Sequence, residues 1–208
     1  MDGQSLEIGR VLRASTTGFA VGCRVNQLTT PGFGSLVKAQ PVEARETIYG
    51  LIYDINIDDD QLIRRLVMVE EPRQEVIEDQ RRNRLLPIEM SVLSIGYKLQ
   101  QNVIHGLPPR PPLNLDPVEL CREPEEVVQF SEDLGYLRLI LRAADSHVPV
   151  DQLLVAHIQN IYQMRGRDSA WVKKAINELI ELLRSNYEVL IPTLEALSDA
   201  LPELEIGK

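Results

Sequence analysis

The chain has 208 residues, 44% of them hydrophobic, which fits one large domain or two small ones with a buried core. Its formal net charge is −9 and divides unevenly: residues 1–122 carry 14 Lys and Arg against 16 Asp and Glu, whereas residues 123–208 carry 8 against 15. Nucleic-acid binding rests largely on neutralising phosphates with Lys and Arg, so this balance argues against direct contact with DNA or RNA.

Strand patterns dominate the first half. Leu6 to Leu12 alternates imperfectly, Thr16-Thr17-Gly18 supplies a turn, and Phe19 to Val25 follows, which together predict a hairpin. Thr30-Pro31-Gly32 is a second turn, with Pro fixing φ and Gly free to take positive φ, and Ser35 to Ala39 forms the next strand. Arg45 to Ile57 is the strongest strand, rich in β-branched and aromatic residues. Gly50 at its middle predicts a bulge or a close backbone approach. Leu85 to Leu99 returns to strand character, and Asn102-Val103-Ile104-His105 is a short return strand before Leu107-Pro108-Pro109-Arg110-Pro111-Pro112.

A charged insertion, near residues 58–84, separates two of these strands. Asp58-Asp59-Asp60 precedes Gln61 to Val69, whose Leu62, Ile63, Leu66 and Val67 fall at helical spacing, so the aspartates are expected to cap a helix N-terminus. An oxygen-ligand metal loop would spread its carboxylates over alternate positions, and that pattern is absent. Arg81, Arg82 and Arg84 end the segment as a solvated basic cluster.

After Pro117 the period changes to about 3.6 residues. Pro124 opens a helix that is interrupted, or split in two, near Gly135. Asp151 is expected to cap a helix ending at Gly166, Asp168 the next, and Tyr187 to Leu204 forms a last helix kinked or restarted at Pro192. None of these amphipathic helices hides its apolar face alone, so they are expected to form a bundle.

The sequence offers little chemistry. Cys23 and Cys121 lack a CxxC or Cys/His spacing and are expected to be reduced thiols. His105, His147 and His157 have no spacing that gathers ligands, and Trp171 is expected to fill the bundle core. There is no Gly-x-Ser-x-Gly elbow, and Asp54, Glu89 and Asp116 are single carboxylates among strands. No catalytic, cofactor-binding or metal residue is assigned. The opening Met1 to Glu7 lacks a basic region and an apolar run, and no stretch approaches the ~18–20 apolar residues of a membrane span. A soluble cytoplasmic protein is expected.

The strand phrases Ile8-Gly9-Arg10-Val11, Pro31 to Val37 and Thr47 to Ile55, closed by the proline run 107–112, resemble the HAS-barrel. This is the small N-terminal barrel of HerA-type ring translocases and of ATP synthase subunits. The resemblance covers roughly residues 5–122 and is spread over the segment rather than concentrated in one motif. It extends to stand-alone HAS-barrel proteins of photosynthetic bacteria. HerA-type proteins continue into a nucleotide-binding domain with a G-x-x-x-x-G-K-[ST] loop. Here the only Gly-Lys pair is Gly207-Lys208, so the resemblance does not carry over ATPase activity.

The expected architecture is therefore α+β: a HAS-like β-barrel over 1–107, a Pro-rich linker over 108–117, and an acidic helical domain over 118–208. In ring ATPases this barrel forms the collar where subunits meet, so the resemblance implies a non-enzymatic assembly module. It would self-associate or dock on a ring ATPase or other complex through edge strands and the Arg81, Arg82 and Arg84 segment. The competing expectation is a ligand or catalytic pocket at the barrel–bundle junction, drawing on Asp54, Glu89, His105 and Arg110.

Overall fold

The computed structural model describes residues 6–24, 31–41, 46–57, 64, 68, 73–75, 87–143 and 148–204. Its strands are β1 (Leu6–Ala14), β2 (Gly18–Arg24), β3 (Leu36–Ala39), β4 (Glu46–Ile57), β5 (Pro87–Leu99), β6 (Asn102–Ile104) and β7 (Pro117–Leu120). The helices α1 (Pro124–Ser131), α2 (Leu137–Arg142), α3 (Val150–Met164), α4 (Ser169–Leu183) and α5 (Tyr187–Ala200) follow, with a 3-10 turn at Pro202–Leu204. The architecture is mixed α+β, an N-terminal barrel followed by C-terminal helices.

The barrel closes through six antiparallel strands in the order β1, β2, β5, β4, β3, β7 and back to β1. Strand β6 lies outside that circuit, added to the end of β5. The glycine inside β4 does what its position implies. The register shifts between Tyr49 and Gly50, and a Cβ on Gly50 would lie 2.4 Å from Val92 Cγ1 and 2.8 Å from the Leu93 carbonyl oxygen. Only glycine lets β4 approach β5 so closely at this bend.

Strand β7 occupies residues where the sequence reading ended a linker at 117 and began the helical domain at 118. Pro117–Leu120 instead fills the gap between β1 and β3, with Val118 fully buried inside the barrel. Four residues are too few to display a period of two, so only the unpaired edges of β1 and β3 require a strand there. The prolines belong to the crossover from β6 to β7, and its end is bonded to β1: Leu115 N–H donates to the Val11 carbonyl at 2.8 Å and Val11 N–H to the Asp116 carbonyl at 3.0 Å. The Asn114 amide adds a bond to the Leu12 carbonyl at 2.5 Å.

Two apolar clusters explain the continuous hydrophobic runs in β4 and β5. Ile8, Val11, Val37, Ile48, Ile52, Met90, Val92 and Val118 fill the barrel interior. Leu36, Tyr49, Leu51, Leu93 and Ile95, on the outer face of the same strands, join Phe130, Leu137, Leu153, Ile158, Trp171 and Leu179 in a second core. Both faces of these strands are thus buried, which removes the alternation of a half-exposed sheet. The helices are packed onto the barrel wall, and barrel and helices share this second core.

Helix ends follow the sequence closely. Gly166 ends α3 with φ +68° and Arg167 continues at +65°, its N–H bonded to the Tyr162 carbonyl at 2.8 Å. Asp168 caps α4 by accepting the Trp171 N–H at 3.0 Å. Asp151 is the exception: expected to cap α3, it lies instead in the first turn, where its charge faces the helix N-terminus, and Pro149 occupies the cap position. Pro192 sits inside a single helix, α5. Of residues 58–86 only Arg64, Met68 and Arg73–Glu75 are described, so the aspartate cap, the helix expected at 61–69 and Arg81, Arg82 and Arg84 lie outside the described residues, as does His147.

Candidate functional site at the barrel–helix junction

Polar side chains gather where the helices meet the barrel. Lys38 on β3 donates to both carboxylate oxygens of Glu126 on α1, at 2.8 and 2.9 Å, and lies 3.8 Å from Glu119 on β7. The Tyr49 hydroxyl on β4 donates to the same Glu126 at 2.9 Å. Burial, and then the neighbouring Glu126 charge, push the Tyr49 phenol up, keeping it protonated. Burial opposes the Lys38 charge, but the bond and charge of Glu126 outweigh it, so its ammonium is held above its usual value. Each member satisfies another, and the cluster acts as a clamp between α1 and three barrel strands.

An aromatic chain runs inward from this clamp. Tyr49 and Phe130 are 4.8 Å apart between ring centroids, Phe130 and His105 5.0 Å, His105 and Tyr136 5.2 Å, and Tyr136 and His157 5.4 Å. These edge-on and tilted contacts suit the ring quadrupoles. His105 Nε2 lies 3.0 Å from the Phe130 carbonyl, which can only accept, so this nitrogen carries the proton. Burial lowers the His105 pKa against the opposing charge of Asp133, 3.8 Å from Nδ1.

His157 on α3 is fully buried, with Nε2 3.1 Å from the Tyr136 hydroxyl and its ring beside the Gly34 backbone. Burial pushes its pKa down to about 4, so the ring is neutral near pH 7. Its helix passes close to the β2–β3 connection. A Cβ on Gly34, whose φ is +77°, would lie 2.7 Å from Ala156 Cβ and 3.0 Å from His157 N. Glycine at residue 34 is therefore a condition for α3 to lie against the barrel.

A second polar group, which sequence reasoning did not single out, ties α1 to α3 and α4. The Arg165 guanidinium reaches Glu132 at 2.9 Å, Ser131 Oγ at 3.0 Å, the Val128 carbonyl at 3.3 Å and Asp168 at 3.4 Å, and lies 5.4 Å from the Trp171 ring. Arg165 pulls the Glu132 carboxyl below its ordinary range, whereas the Trp171 backbone N–H is the first cause of the lowering at Asp168. Its position at the end of α3, where cations face the helix dipole, is the one sequence hint it leaves. Trp171 is core, as expected, and its indole donates to the Ser131 carbonyl at 2.7 Å.

The four residues considered for a junction pocket do not come together. Asp54 is exposed on β4, Glu89 on β5 is held by Arg13 of β1, and Arg110 is exposed in the proline crossover. Of the four, only His105 borders a cleft at the junction, and it borders two among the described residues. One, of about 760 Å³, lies between β6 and helices α1, α2 and α4; the other, of about 540 Å³, lies between the barrel end, the start of the proline crossover and α2. Among the described residues no group of three or more His, Cys, Asp or Glu is placed to hold a metal, and no helix is long and apolar enough to cross a membrane. Cys23 and Cys121 are free thiols.

The class this geometry defines is a closed β-barrel carrying a docked helical layer. No family model and no curated protein matches the chain.

Proposed function

We propose that this chain is a non-enzymatic assembly module of the cytoplasm, built on a HAS-like barrel, that self-associates or docks on a ring ATPase or another protein complex. The observation that carries this reading is the exposure of three leucines on β1 and the crossover bonded to it, Leu12, Leu113 and Leu115, which are 44%, 57% and 68% exposed. These leucines sit on β1 and on a crossover bonded to it through Asn114, Leu115 and Asp116. The Leu113 N–H adds a bond to the Asp116 carboxylate at 2.7 Å. Large apolar side chains presented on a fixed backbone suit a protein contact, since little ordering is lost on binding. The dispersal of Asp54, Glu89, His105 and Arg110 also favours this reading over a catalytic one.

The test is native mass spectrometry and light scattering of the tagged chain isolated from its host, beside the variant Leu113→Asp/Leu115→Asp. A closed homo-oligomer or a stoichiometric protein complex that the variant loses supports the role. A wild-type monomer without a partner removes it.

A further inference from the structure

The cleft of about 540 Å³ at the barrel–helix junction has a composition at odds with the rest of the chain. The sequence holds 31 Asp and Glu against 22 Lys and Arg, yet the described residues lining this cleft include Arg138, Arg142 and His105 and no carboxylate. Arg138 and Arg142 are one turn apart on α2 and so project from the same side of the helix. The Arg138 guanidinium is fixed by a bond of 3.1 Å from one terminal nitrogen to the His105 carbonyl, which leaves most of its donors uncommitted. Arg142 makes no hydrogen bond or ion pair among the described residues. The remaining wall is apolar, from Leu93, Leu107 and Leu139.

We infer that this cleft binds a small organic oxyanion, its phosphate or carboxylate held between Arg138 and Arg142 and its apolar body resting on Leu93, Leu107 and Leu139. Guanidinium forks match the paired oxygens of either group and form charge-assisted bonds shorter and stronger than neutral ones. The site does not depend on the exposed leucines and stands whether or not the chain assembles.

The experiment uses the full chain with inorganic phosphate and citrate as separate probes, at ionic strength matched with chloride, read by thermal unfolding. Wild-type protein is expected to show a saturable rise, about 3–6 °C at ten times the dissociation constant, with at least one of the two anions. The larger rise tells which oxyanion the cleft prefers. Phosphate also raises melting temperatures by exclusion from protein surfaces, so the discriminating comparison is with Arg142→Gln, an exposed position whose change leaves the fold intact. Arg142→Gln and Arg138→Gln are expected to lose the saturable component and keep only the gradual one. An equal rise in wild type and Arg142→Gln, or no saturable rise with either anion, overturns the assignment.

Discussion

Gly34→Ala tests how the helices sit on the barrel. The new methyl would meet Ala156 Cβ at 2.7 Å and the α3 backbone at 3.0 Å, on a residue whose φ is +77°. Two costs follow: about 1–2 kcal/mol for holding a non-glycine residue in the left-handed region, and about 1–3 kcal/mol for overpacking against a helix. Gly166→Ala separates them, because Gly166 has φ +68° but nothing within 4 Å of its added Cβ. Urea unfolding should show a loss of about 2–5 kcal/mol for Gly34→Ala and about 1–2 kcal/mol for Gly166→Ala. Ala156→Gly removes the nearest atom, so in a double-mutant cycle it should recover about 1 kcal/mol of the Gly34→Ala loss. Equal losses at the two glycines, with no coupling to Ala156, would refute the claim that Gly34 is required by the seating of α3.

Stability should fall in acid. Burial lowers the His157 pKa to about 4 from 6.5, so the unfolded chain takes up a proton that the folded one refuses. This contribution is lost as pH drops from about 6.5 to about 4, at about 1.4 kcal/mol per pH unit, and His157→Asn should flatten a plot of unfolding free energy against pH over that window. Leu51→Ala should cost about 2–5 kcal/mol, and Trp171 fluorescence and far-ultraviolet dichroism should report the same midpoint, because Leu51 and Trp171 share one core. Separate midpoints would show that barrel and helices unfold independently. In native protein a thiol reagent should modify Cys23, which is partly accessible, before Cys121, which is 1% exposed and whose pKa burial raises; Cys121 should react only under denaturant.

The sequence exposes those parts of the fold whose pattern is local. Strands β1 to β6 are marked by β-branched and aromatic content and by turn residues, and the ends of α3 and α4 by Gly166 and Asp168, because each depends on neighbours a few residues away. Strand β7 leaves no such mark: its four residues are a strand only because β1 and β3 need a partner, a condition set more than 75 residues upstream. The junction is hidden for the same reason. Lys38, Tyr49 and Glu126 are unremarkable singly, and their clamp exists only once α1 lies on β3 and β4. Arg138 and Arg142 read as ordinary charges on a short helix, and only the lining of the smaller cleft, which holds both and no carboxylate among the described residues, sets them apart.

The assembly role is tested most directly by the mass and composition of the complex that the tagged chain forms in its host, measured for wild type and for Leu113→Asp/Leu115→Asp. The account predicts a closed oligomer or a stoichiometric protein complex for the wild type and a free monomer for the variant. A wild-type monomer without a partner, or a complex that survives the double substitution, would contradict it.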